Sequence, residues 1–100
     1  IGEDLADLTG ISLAYEALFS QQSMGTQGVA PTVGDKQHFF MVLAQAFCET
    51  YDQEHRCAAV AHDVHAVAEF RIDRTFRNMP GWRDVFGCHE DENDGICRVY

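Results

Sequence analysis

The chain has 100 residues, 46% of them hydrophobic and 11% aromatic, and its 16 acidic against 7 basic side chains give a net charge of −9. That apolar content suits one compact globular unit and excludes a low-complexity segment, while the negative surface opposes a phosphate backbone or an anionic bilayer, so no nucleic-acid partner is expected. No run approaches the roughly 18 apolar residues of a membrane span, and no basic region followed by an apolar stretch opens the chain, so any signal or membrane anchor is expected to lie outside it.

From Glu3 to about Gln22, the residues Leu5, Leu8, Ile11, Ser12, Tyr15, Leu18 and Phe19 recur at three- and four-residue spacing, which predicts a helix with one buried stripe. Neither Ile1 nor Gly2 offers a side-chain cap, so this helix is expected to continue from a cut edge rather than a natural start. Ser23 to Gly34, with its glycines and Pro31, reads as a surface loop. Asp35 to about Thr50 carries Phe39, Phe40, Val42, Leu43, Ala46 and Phe47, an apolar surface so broad that a mostly buried helix is expected. Glu54 to about His62 predicts a third helix, in which Ala58, Ala59 and Ala61 favour close packing. Phe70-Arg71-Ile72 reads as a short extended segment, and Met79-Pro80-Gly81-Trp82 opens a last short helix carrying Val85 and Phe86, with Pro80 tolerated in its first turn. An acidic tail runs on to Cys97. The expected fold class is mainly α with little sheet, in a single unit over residues 1–100.

Two groups of residues carry chemistry. Glu3 and Asp7 are four apart, so a helix projects both carboxylates toward one side. A zinc site with two histidines and one glutamate needs a carboxylate from outside its histidine-bearing helix, and a second acceptor to fix the tautomer of a ligating imidazole. Taken alone, an acidic pair at this spacing is commonly just solvated, and a single histidine such as His65 is commonly an ordinary surface residue. Cys48, Cys57, Cys88 and Cys97 lack paired CxxC spacing, which favours disulfides in an oxidising compartment over a structural zinc site. Two internal bridges or partners outside the chain both remain open. A site from Cys57, His62 and His65 would lack a fourth ligand at familiar spacing.

The run Gly2-Glu3-Asp4-Leu5-Ala6-Asp7-Leu8-Thr9-Gly10-Ile11 resembles the GENxAD-x-GG segment of the neprilysin family of zinc metallopeptidases. Gln37-His38-Phe39-Phe40 and Ala44-Gln45-Ala46-Phe47-Cys48 are similar to its Q-x-FF and AQxWC segments, with Phe47 in place of the usual tryptophan. Asp63-Val64-His65-Ala66-Val67-Ala68-Glu69-Phe70-Arg71 resembles DxHSPxxFR, and Phe86-Gly87-Cys88 with Cys97-Arg98-Val99-Tyr100 resembles FxC and the terminal CRVW. Ala66 and Val67 replace Ser-Pro, Thr9 replaces a glycine, and Tyr100 replaces the final tryptophan.

The resemblance implies the C-terminal helical part of a zincin-type, thermolysin-like catalytic domain, with the HExxH-bearing part upstream, so that these 100 residues are expected to be inactive in isolation. It implies Glu3 as the third ligand of one Zn2+ and Asp7 as the residue that orients a zinc-bound histidine. His65 would donate a hydrogen bond to the oxyanion, and Arg71 would grip a substrate backbone carbonyl. Cys48, Cys88 and Cys97 would bond to upstream cysteines, while Cys57 has no counterpart. The implied whole is a secreted or single-pass, extracellular zinc metalloendopeptidase that cleaves peptides on the amino side of apolar residues, with the membrane reached only through an N-terminal anchor outside this chain. The alternative is a non-catalytic, truncated or inactive homologue, acting as a secreted peptide-binding or disulfide-stabilised helical module.

Overall fold

The structure is a computed structural model that describes residues 2–20 and 29–87. Five helices, α1 (Gly2–Phe19), α2 (Val33–Ala46), α3 (Gln53–His62), α4 (Ala68–Arg77) and α5 (Pro80–Phe86), make up its architecture, and no strand occurs among the described residues. The mainly helical expectation therefore holds.

Local chemistry explains most helix ends. Thr32 and Asp35 form a reciprocal capping box: the Asp35 N–H donates to Thr32 Oγ1 at 3.1 Å, and the Thr32 N–H donates to the Asp35 carboxylate at 2.7 Å. The cap starts α2 at Val33, so Gly34 belongs to the helix and not to the preceding loop. Asp52 caps α3 by accepting the His55 N–H at 2.8 Å. α5 places Pro80 in its first turn and ends at Gly87, whose φ of 68° is left-handed and suits a residue without a Cβ.

The core gathers one residue from each of three helices, Leu8, Phe40 and Phe76, together with Met79 between α4 and α5. Phe40 is wholly buried and is ringed by Tyr15, Phe39, Phe76 and Trp82 at centroid distances of 5.1–5.4 Å, within the range where tilted and edge-to-face contacts are attractive. α1 packs on α4, α2 on α5, and α4 on α5. The α2–α5 contact is pinned by the Gln37 side-chain amide, which donates to the Val85 carbonyl at 2.8 Å. A Cβ at Gly81 would sit 2.6 Å from the Tyr15 ring, so a glycine there lets α5 approach α1.

Several expectations are corrected. Phe70, Arg71 and Ile72 lie inside α4 and are not extended. Ala68, Ile72, Thr75 and Phe76 fall on one helical stripe that turns inward, whereas Glu69, Asp73, Arg74 and Arg77 occupy the wet side. α2 is not mostly buried: Phe40 is its one buried residue, and Met41 and Val42 remain 52% and 46% exposed. A narrow five-helix cluster covers one side of α2 and leaves its second apolar side in water. Leu5 and Leu18 likewise stand outside the stripe of α1, which narrows to Leu8, Ile11, Tyr15 and Phe19. The α3 alanines do not pack closely, for α3 buries no residue and is joined to α4 by an Arg56–Glu69 ion pair. The acidic tail lies outside the described residues, as does half of the loop expected over residues 23–34.

Candidate active site

The packing of α1 against α4 assembles the site. Asp7, one turn along α1 from Glu3, meets Arg71 of α4: the Arg71 Nε–H donates to Asp7 Oδ2 at 2.7 Å and Nη2–H to Oδ1 at 2.9 Å. This is the fork-to-fork geometry that makes an arginine–carboxylate pair both strong and directional. Both side chains are largely shielded, at 21% and 17% exposure. The Asp7 hydrogen bond raises the Arg71 pKa above its ordinary value against the opposing effect of burial, with the charges of Asp7, Asp4 and Glu49 adding to it. Cζ of the same guanidinium lies over the Phe47 ring, 4.7 Å from the centroid.

The second pair comes from the turn between α3 and α4. The Asp63 carboxylate accepts the His65 backbone N–H at 2.9 Å, and the same oxygen lies 2.9 Å from His65 Nδ1. A carboxylate can only accept, so Nδ1 carries a proton in this contact, and Nε2 is left facing outward. That Nε2 lies 3.4 Å from Glu3 Oε2. The backbone N–H of His65 first, and its ring second, hold the Asp63 carboxyl below the usual carboxylate range.

The four residues singled out in the sequence thus form two neighbouring pairs, Glu3 with His65 and Asp7 with Arg71. Both pairs bridge α1 to the segment 65–71. Sequence reasoning gave Asp63 no role of its own, although an aspartate two residues before a histidine is a familiar turn-forming arrangement, and it missed the contact of Arg71 with the Phe47 ring. Cys48, just beyond α2, and Cys57, on α3, are both free and exposed, while Cys88 and Cys97 lie outside the described residues.

No cluster of three or more histidine, cysteine, aspartate and glutamate side chains is arranged to hold a metal among the described residues. A Cys57–His62–His65 centre is therefore not formed. No HExxH occurs in the sequence, so the described residues hold no complete zinc centre of the two-histidine, one-glutamate kind. No helix among the described residues is long and apolar enough to cross a membrane.

Residues 1–95 match the family model of peptidase family M13. The chain is similar to neprilysin of Mus musculus, 33% identical over all of this chain and 14% of that relative, and to neprilysin of Homo sapiens, 31% identical over the same shares. It is 29% identical to neprilysin-3 of Drosophila melanogaster over 88% of this chain and 12% of the relative. The chain thus spans about one-seventh of the length of the neprilysins it matches, 14% in each of those from mouse and human. No solved structure matches it.

Proposed function

Because this chain belongs to peptidase family M13, we propose that it forms the C-terminal helical part of a neprilysin-like zinc metalloendopeptidase. In this reading it supplies the third zinc ligand and groups that face the transition state, and the HExxH helix comes from sequence outside these 100 residues. The observation that supports it best is the pairing of Glu3 with His65 and of Asp7 with Arg71 across one helix contact, at 3.4 and 2.7 Å.

Zn2+ at such a site would supply Lewis-acid polarisation of the scissile carbonyl. The chain's own residues do the rest of their share by position. Glu3 offers its carboxylate as a ligand. Asp63 holds His65 through the Nδ1 proton, so that Nε2 is aimed into the space beside Glu3. Donation from Nε2 to a developing oxyanion while Nδ1 stays bound to Asp63 requires the doubly protonated ring. A donor fixed in advance at the point where charge develops acts on the transition state more than on the substrate.

Arg71 commits Nε and Nη2 to Asp7 and leaves Nη1 to donate to a substrate backbone carbonyl. Asp7 in turn accepts one hydrogen bond on each oxygen from Arg71, and each oxygen keeps a lone pair able to orient a zinc-bound imidazole. The substrates in this reading are peptides with an apolar residue after the scissile bond, and the upstream remainder of the peptidase domain is the partner on which α1 and α2 depend. Cysteines without metal-type spacing suit an extracellular, oxidising setting, whether the protein is secreted or anchored.

The test is zinc content and peptide hydrolysis measured on the polypeptide at its natural length. One zinc per chain, with hydrolysis abolished by a chelator and restored by zinc, supports the reading. Peptide binding without zinc-dependent hydrolysis would replace the enzyme with a non-catalytic binding homologue.

A further inference from the structure

We propose that Phe47 is a positioning residue for Arg71, setting the direction in which the guanidinium presents its uncommitted Nη1 to substrate; this rests on the reading of Arg71 as a substrate-binding group. A two-bond clamp leaves one rotation of the guanidinium free. Asp7 accepts from Nε and Nη2 at 2.7 and 2.9 Å, which fixes two N–H directions but not the tilt of the guanidinium plane about the line of those bonds. A ring packed against the guanidinium carbon limits that remaining freedom.

The Phe47 ring provides such a contact, with its centroid 4.7 Å from Arg71 Cζ. The ring is itself held by the backbone, because the Phe47 N–H closes the end of α2 through the Leu43 carbonyl at 3.1 Å. Arg71 is therefore fixed from three helices at once: by its own place in α4, by the carboxylate from α1, and by the ring at the end of α2. The shielding of the pair, 21% for Arg71, limits the water that would otherwise weaken a cation–ring attraction. Tryptophan offers a larger and more electron-rich face than phenylalanine, so it should serve this purpose at least as well.

The experiment uses the natural-length enzyme and a fluorogenic peptide with phenylalanine after the scissile bond. It compares Phe47→Leu, Phe47→Trp and Arg71→Gln, alone and combined; glutamine removes the charge but keeps a donor for Asp7. Phe47→Leu is expected to raise KM about five- to tenfold, the size of one partly shielded cation–ring contact, with kcat within about twofold of the parent. Phe47→Trp is expected to keep or lower KM. In the Arg71→Gln background, Phe47→Leu should add less than about twofold, the mark of two residues acting through one group.

An equal effect of Phe47→Leu with and without Arg71 would overturn the proposal, as would an unchanged KM or a loss confined to kcat. Should Phe47→Leu fail to fold, Phe47→Trp in the two backgrounds decides instead: tightening that needs Arg71 supports the proposal, and a change that ignores Arg71 overturns it. A silent Arg71→Gln would fall on the parent reading, since it would deny Arg71 a part in binding substrate, and the role of Phe47 would go with it.

Discussion

Asp7 and Arg71, 64 residues apart in the chain, meet through two hydrogen bonds of 2.7 and 2.9 Å, and this contact ties the first helix to the fourth at the point where the candidate site is built. Removing the carboxylate would leave a shielded guanidinium without its acceptor, which costs more than the bond itself contributed. Asp7→Ala is expected to lower stability by about 2 kcal/mol, read as a fall in the denaturant midpoint at unchanged slope. Asp7→Asn keeps one acceptor and should lose less.

Glu3 and His65 touch each other, yet their removal should have opposite signatures. Glu3→Ala is expected to release zinc, with activity lost as a consequence. His65→Ala is expected to keep zinc and lower kcat by about two to three orders of magnitude, as for loss of an oxyanion donor. Metal analysis beside turnover separates the two, and zinc loss in the histidine variant would refute its assignment. Asp63→Asn, whose amide oxygen can still accept both the backbone N–H and the Nδ1 proton but carries no charge to favour the doubly protonated ring, should lower kcat by roughly tenfold.

Three aspartates define the acid limit of the fold. Asp35, Asp52 and Asp63 each accept a backbone N–H, from Thr32, His55 and His65 respectively, and that bond holds each carboxyl below its usual range. A depressed folded-state pKa contributes stability that is fully present above the unfolded value, near 3.9, and is lost as pH falls through the lower folded value. Helix content followed by circular dichroism should therefore hold from neutral pH to about 4.5 and decline below it. Asp35→Asn should make the decline shallower, and a decline that begins near pH 6 would overturn this account.

Gly81→Ala tests how closely α1 and α5 pack. The added methyl would come within 2.6 Å of the Tyr15 ring, and that ring is already packed against Phe19, Phe39 and Phe40. With little room to give, the substitution should cost about 1–3 kcal/mol. A double variant with Tyr15→Leu should recover much of the loss when unfolding is measured.

Much of this arrangement could be read in the sequence because it rests on helical period. The spacing of Leu8, Ile11, Tyr15 and Phe19 gave the inward side of α1, and the four-residue step from Glu3 to Asp7 placed two carboxylates on one side. α4 was illegible in a three-residue window: Phe70 is 43% exposed, and the inward residues Ala68, Ile72 and Phe76 are separated by charged ones. Periodicity also could not tell that α2 would keep Met41 and Val42 in water, for an apolar helix announces how much surface it can bury and not how much of it is covered. The pairing of Asp7 with Arg71 depends on how α1 crosses α4, a tertiary fact with no local signature.

The ten residues of α3 lie between the end of α2 and the turn that carries Asp63, and they bury nothing. An isolated helix of that length is marginal in water, so α3 should exchange its amide hydrogens almost as fast as an unstructured peptide, well ahead of α1 and α4. It is slack line between two moorings. Arg71 and Phe47 find each other because the core brings the end of α2 and the start of α4 together, so a change in the length of α3 should leave that alignment as it is.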